Sequence, residues 1–214
     1  MLILYGSDLS SPANKVRFTA NALALDYEYK VVRLRDGEHQ TEEFKKLHPA
    51  GKVPVINDNG FVLFESNAII KYLAQKVKSP LYPTDLQTRA LVDQWMDFTS
   101  FHVGVALTRV VFNRVFAPLL KMDVDERSIE EGLTFLQRFL PVVDQQLGKY
   151  PYFVSENLTL ADINLLATLD PAEVGQVDLS IYPNISRWRN ALKKMAFYTQ
   201  CYEEYGLALK KKRG

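Results

Sequence analysis

From Met1 to Lys76 apolar residues recur in two rhythms, and beyond it in only one. Leu2-Ile-Leu-Tyr5 and the stretch from Tyr27 to Val32 have the short period of strands. Pro12 to Leu25 instead repeats at helical spacing, with Val16, Ala20 and Leu23 on one face and Pro12 suited to a first helical turn. Thr41 to Leu47 reads as a short polar helix, stopped by His48-Pro-Ala-Gly51. Two further strands flank Asn57-Asp-Asn-Gly60, residues that tolerate the positive φ of a hairpin turn. A helix follows from Ser66 to about Lys76. This order predicts a small mixed α/β sheet with helices on both faces.

Val77 to Asp85 contains Pro80 and Pro83 and reads as a linker, 78–85, between a domain of residues 1–77 and one of residues 86–214. Every long segment after it has helical period. Leu86 to about Leu120 is one long or broken helix, and Asp125 to Leu147 is another, with Pro141 expected to bend it. Thr159 to Leu169, Ser186 to Lys194 and roughly Phe197 to Tyr205 complete an all-helical domain. Leu158-Thr-Leu-Ala-Asp-Ile163 is a helix start: Thr159 caps, Asp162 reaches back to the cap's N–H, and Leu158 and Ile163 form a hydrophobic staple. That is a folding device and is given no catalytic role. The basic tail Lys210-Lys-Lys-Arg213 reads as a solvated end.

Lys52 to Ser66 carries the chemistry. A proline cannot donate to a central strand, so Pro54 predicts an edge position or a cis Val53–Pro54 bond, with Val53's backbone free to pair with another extended chain. Glu65-Ser66 stands at the mouth of the next helix, with Ser66 as its cap, and a helix N-terminus favours anions. Together these features fit a small, peptide-like, anionic ligand.

Composition narrows the rest. An apolar fraction of 47% is ordinary for a globular protein, and no apolar run reaches membrane-spanning length. A formal charge of +1 gives no electrostatic case for nucleic acid or an acidic membrane. Met1 to Gly6 is too short for a signal sequence and reads better as a strand. Cys201 is the single cysteine, which excludes an intramolecular disulfide and a thiolate metal cluster; no metal is expected, and a reducing, cytoplasmic location fits best.

A small α/β domain with Val-Pro before a hairpin, Glu-Ser opening the next helix, a proline linker and a helical domain with a Thr-x-x-Asp cap resembles the cytosolic glutathione transferases over essentially the whole chain. The resemblance implies a thioredoxin-like N-terminal domain binding glutathione as co-substrate, an all-α C-terminal domain shaping the pocket for a small hydrophobic electrophile, and a homodimer. Carried onto these positions, it implies that Val53 pairs with the cysteinyl backbone of glutathione. Ser66 would take the γ-glutamyl carboxylate and Glu65 the α-amino group. His39 and Lys52 match positions that hold the glycyl carboxylate in theta-like members.

Family members differ in the reacting group that follows the first strand. Here Tyr5-Gly-Ser-Asp-Leu-Ser-Ser-Pro12 has no cysteine, so thiol transfer through a mixed disulfide on this loop is disfavoured. Ser10, six residues before Val16 with Pro12 opening the helix, has the spacing of the serine-type theta, delta and phi classes. Ser10 is the candidate thiolate donor, Ser11 the understudy, and Tyr5 is expected within the strand. Glutathione conjugation is the leading reading. A zeta-type isomerase is the alternative, because Ser10-Ser11 is similar to that class, although Pro12 stands where it carries cysteine. A non-catalytic binding or regulatory protein on the same fold is the third. Phe98, His102, Val105, Arg109, Phe112 and Phe116 form a stripe that could line the electrophile pocket or the core, and His102 is given no role. Ser155, four residues before Thr159, stands where the family commonly has glycine and would carry a backbone cost if φ were positive.

Overall fold

A computed structural model describes residues 1–206 and Leu209; the basic tail lies outside the described residues. The chain divides into two compact units, Met1–Tyr82 with Met195–Gly214, and Pro83–Lys194.

The first unit holds a four-stranded mixed sheet in the order β2-β1-β3-β4. β1 (Leu2–Gly6) and β2 (Tyr27–Val31) are parallel and joined through helix α1 (Ser11–Ala22). β3 (Val55–Asp58) runs antiparallel to β1 and pairs with β4 (Phe61–Phe64), with Tyr5 opposite Val55 and Val55 opposite Phe64. Asn59 and Gly60 both have positive φ, 52° and 96°, as a two-residue primed turn requires. Gly60 N–H also bonds to Asn57 Oδ1 at 2.7 Å, the Asx contact that favours asparagine there.

Alternation along β1 sends Leu2, Leu4 and Gly6 to one face. A Cβ at Gly6 would meet Ala13 Cβ at 3.0 Å, so this glycine lets the start of α1 lie against the sheet. Tyr5 points to the other face, where it joins the apolar cluster of Val32, Phe44 and Val55 under the short helix α2 (Glu42–Lys45). Helix α3 (Ser66–Lys76) packs beside α1 and buries Ile69, Ile70 and Leu73. The predicted sheet, with helices on both faces, is present.

Continuous helical backbone fills the second unit from Leu86 to Leu119 without a break. It consists of α4 (Leu86–Phe98), α5 (Val105–Val111) and α6 (Ala117–Leu119), separated by π-helical turns at Thr99–Gly104 and Phe112–Phe116. The second π turn has a local cause: Pro118 cannot donate an N–H and crowds the carbonyl a turn earlier. Helix α7 (Glu126–Leu147) continues through Pro141, and α8 (Leu160–Leu169) and α9 (Pro183–Leu192) complete the unit. Among the described residues, no helix is long and apolar enough to cross a membrane.

Asp162 does more than close a helix cap. Its buried carboxylate accepts from the Thr159 N–H at 2.9 Å, the Thr159 hydroxyl at 3.0 Å, the Phe153 N–H at 2.7 Å and the Trp188 indole at 2.9 Å. Burial pushes its pKa up while these donors hold it down. Ser155 carries no positive φ; its hydroxyl bonds within the turn to Asn157 instead, so serine is accommodated without the cost its position raised.

The C-terminal stretch belongs with the first unit. Helix α10 (Ala196–Thr199) packs on α1, and Phe18 meets the rings of Phe197, Tyr198 and Tyr202. This explains why every residue of α1 from Ala13 to Ala20 is buried.

Candidate functional site

All six sequence-predicted binding residues lie in the first unit. Ser10 caps α1 in extended conformation, φ −97° and ψ 106°, and its Oγ accepts from the Ala13 N–H at 3.3 Å. One lone pair is thus committed to the helix, and the hydroxyl proton stays available at the positive end of α1. The loop before it is held carbonyl by carbonyl. Ser7 C=O accepts from Ser10 N–H at 2.9 Å, Asp8 C=O from Asn14 Nδ2 at 2.8 Å, and Leu9 C=O from the Tyr205 hydroxyl at 2.7 Å. Buried Arg17 adds a 2.7 Å ion pair to Asp8 and stacks its guanidinium over Tyr29 at 4.3 Å. Tyr5 lies within β1, as the sequence places it.

The Val53–Pro54 bond is cis. Val53 sits two residues before β3 and packs against the Val32, Phe44 and Val55 cluster. Among the described residues its backbone N–H and C=O have no hydrogen-bond partner.

Glu65 turns the chain into α3 with φ 70° and ψ 108°, a conformation that costs a non-glycine residue roughly 1–3 kcal/mol and concentrates at functional sites. The expected cap is displaced by one residue. Glu65 occupies the cap position without a side-chain capping bond, and Ser66 is the first helical residue, because the turn at Glu65 completes the change of direction before Ser66.

Sequence reasoning missed the partner of Ser66. Lys15 Nζ of α1 is hydrogen-bonded to Ser66 Oγ at 3.2 Å and Asn67 Oδ1 at 2.7 Å, and the residue is only 5% exposed. Burial pushes the lysine pKa down to about 7, and the charge of Glu65 pulls it back up. The α3 N-terminus, positive in its own right, works in the same direction as burial.

His39 and Lys52 are brought together through Gly51. Gly51 has φ +57°, and a Cβ there would meet the His39 carbonyl oxygen at 2.6 Å. Gln40 Nε2 donates to the Gly51 carbonyl at 3.2 Å, fastening the 38–40 turn to the start of the Lys52 segment. His39 Nδ1 is buried with no hydrogen-bond partner among the described residues, while Lys52 is exposed. His48, which the sequence marks only as part of a helix stop, braces the same loop: its Nδ1 accepts from Ala50 N–H at 3.2 Å and its ring lies 4.6 Å from Phe64. Burial holds its imidazole below the usual value, against the charge of Glu65, so the ring is neutral at neutral pH.

The described residues of the first unit thus carry a free hydroxyl proton at the start of α1, an unpaired backbone segment at Val53, a carboxylate and a hydroxyl at the start of α3 with a buried ammonium beside them, and an unpartnered histidine nitrogen at His39. Among the described residues no group of three or more histidine, cysteine or carboxylate side chains is placed to hold a metal. Residues 1–75 match the family model for the glutathione S-transferase N-terminal domain, and residues 107–194 match the C-terminal domain model. The chain is 34% identical over 200 residues to glutathione S-transferase D7 of Drosophila melanogaster, covering 90% of this chain and 84% of the relative.

The chain belongs to the glutathione S-transferase family.

Solved glutathione transferases agree in fold. A delta-class enzyme of Nilaparvata lugens superposes with a TM-score of 0.85 at 32% identity, covering 99% of this chain and 97% of its own. Human glutathione S-transferase T1-1, in its apo form, gives 0.88 at 27% identity, covering 99% and 90%. The sheet-bearing first unit and the helical second unit match the transferase structures in kind.

The stripe along α4 and α5 is not buried core. Val92, Met96, Val103, Leu107 and Val110 fill that role. Phe98, Phe112 and Phe116 are half-buried, His102 and Val105 are exposed, and Arg109 pairs with Glu131 at 2.6 Å. Phe98, His102 and Phe139 meet ring to ring at 5.0–5.9 Å.

Proposed function

We propose that this glutathione transferase family member conjugates the glutathione thiolate to small hydrophobic electrophiles, and that Ser10 stabilises the thiolate by donating its hydroxyl proton. The observation that carries this reading is the committed lone pair of Ser10: the Ala13 N–H takes it, which leaves an oriented O–H at the helix start. Ser11, already inside α1, has no such arrangement. The transferring thiol attacks carbon and displaces halide, so the serine acts as a hydrogen-bond donor and never as the nucleophile. Val53 would read the cysteinyl backbone, Glu65 the α-amino group and Ser66 the γ-glutamyl carboxylate. His39, through its unpartnered Nδ1, and Lys52 would take the glycyl carboxylate. Family resemblance assigns the second substrate's pocket to the helical unit, where Phe98 and Phe139 offer half-buried apolar rings. Family resemblance supports a homodimer, which sedimentation would check.

Titrating glutathione into the protein by calorimetry and following halide release from an aromatic halide tests the reading. Micromolar-to-millimolar binding, about −8 to −4 kcal/mol, with turnover is expected. Absence of glutathione binding would leave only a fold-sharing regulatory protein, and maleylacetoacetate turnover in place of conjugation would favour an isomerase.

Glu65 separates binding from stability. Glu65→Gly removes the ligand contact but relaxes the positive φ, so stability is expected to hold or rise by up to roughly 1 kcal/mol. Glutathione affinity should nevertheless fall about tenfold or more, the loss of one charge-assisted hydrogen bond. Parallel thermal melts and binding titrations measure both; loss of stability with unchanged affinity would contradict the assignment.

A further inference from the structure

We propose that Lys15 is a cationic anchor for the γ-glutamyl carboxylate of glutathione, completing the subsite of Glu65 and Ser66. The inference rests on the glutathione-binding reading above and adds a residue to it. Lys15 Nζ touches Ser66 Oγ and Asn67 Oδ1 at the first turn of α3. Both partners are neutral oxygens. A buried ammonium ordinarily has a carboxylate partner, because neutral oxygens repay only part of the hydration it gives up. Here it also stands at a helix N-terminus, whose partial positive charge repels it. The site therefore holds two convergent positive features, the ammonium and the first N–H groups of α3, and an incoming carboxylate satisfies both. Hydrogen-bonding to Ser66 fixes Nζ beside the very hydroxyl proposed to receive that carboxylate.

Proton uptake follows from the same geometry. Without ligand Lys15 titrates near 7, and a carboxylate beside it raises that value. Binding at pH above the unliganded value draws a proton from solvent onto Nζ; well below that pH the lysine is already charged and none is taken up. The charged and titratable groups on the elements packed around α1 are few. Glu65 before α3 acts directly on Lys15. On α3 itself, Tyr72 and Lys76 are engaged by Asp58, and Lys71 lies over the Tyr82 ring. Tyr5 of β1 faces the opposite cluster, Tyr198 and Tyr202 pack their rings against Phe18, and the Tyr205 hydroxyl donates to the Leu9 carbonyl.

The test uses S-methylglutathione, whose blocked thiol removes proton release from sulfur, titrated by calorimetry into wild type and Lys15→Met. A second probe is its analogue in which 4-aminobutanoyl replaces γ-glutamyl, lacking only the α-carboxylate. Lys15→Met is expected to bind S-methylglutathione about ten- to hundredfold more weakly, yet to bind the analogue as wild type does. Wild type measured in buffers of different ionisation heat should take up about one proton per ligand at roughly pH 8 and almost none at roughly pH 6. This second measurement stands if Lys15→Met does not fold. Equal affinity of wild type and Lys15→Met for S-methylglutathione, or no uptake by wild type at the higher pH, overturns the role of Lys15 while leaving the glutathione site standing. Failure of wild type to bind S-methylglutathione at all overturns both.

Discussion

Ser10→Ala is expected to lower conjugation at neutral pH by about three- to twentyfold, the change in thiolate fraction, while weakening glutathione binding by no more than about fourfold. A free thiol near pKa 8.5 is only a few per cent thiolate at neutral pH, and lowering it by about two units takes roughly 2.7 kcal/mol of preference for the anion. One hydroxyl donating to a charged acceptor supplies about 1.5–3 kcal/mol, and the start of α1 adds a smaller share. Without the hydroxyl, the rate should climb with pH and reach its plateau one to two units later than wild type, so the defect narrows in alkaline buffer. The substitution also removes the α1 cap, worth about 1 kcal/mol, so a loss of rate through misfolding must be separated from a loss of the donor. Ser10→Asp does this. It restores the capping acceptor but sets a negative charge against the thiolate, so its melting temperature should match or exceed that of Ser10→Ala while its rate falls below it. A rate that tracks stability across both variants would reduce Ser10 to a helix cap.

Asp162→Ala is expected to destabilise the helical unit by about 4 kcal/mol, at the upper end for a single substitution. Buried donors left without an acceptor cost about 1–3 kcal/mol each, though not additively. Here the Thr159 N–H and hydroxyl, the Phe153 N–H and the Trp188 indole all lose the same partner. Asp162→Asn preserves volume and one oxygen but turns an NH₂ toward a set of donors, so an intermediate loss is expected. Chemical denaturation measures both. A loss near the 1 kcal/mol of an isolated helix cap would show that the carboxylate serves α8 alone.

The two variants mark what the sequence could and could not disclose. Local chemistry was legible: the primed hairpin at Asn59-Gly60, the cis bond before Pro54 and the Thr159–Asp162 helix start each follow from residue types at fixed short spacing. The tertiary share of the same features was not. Nothing near Asp162 in the chain names Trp188 as a partner. Lys15 escaped notice because, in a helix with one evident apolar face, a lysine reads as solvated. The structure covers α1 with the sheet, α3 and α10 together, so a lysine on it becomes buried. The same crowding explains the C-terminal stretch. Periodicity gave a helix over roughly Phe197 to Tyr205, where the structure forms only the short α10, Ala196–Thr199, but it could not name α1 as the surface that covers these aromatic residues. Backbone strain was equally invisible: glutamate at φ 70° contradicts local preference, and a ligand contact is a reason for tolerating it.

Whether one serine hydroxyl sets the reactivity of bound glutathione can be read from a titration of the thiol itself. Thiolate absorbance of glutathione bound to wild type and to Ser10→Ala, followed across pH at saturating protein, reports its ionisation without any second substrate. In wild type the bound thiol should ionise about two units below the free value of roughly 8.5, and Ser10→Ala should reverse more than half of that shift. A thiol that ionises at the same pH in both proteins would contradict the role of Ser10.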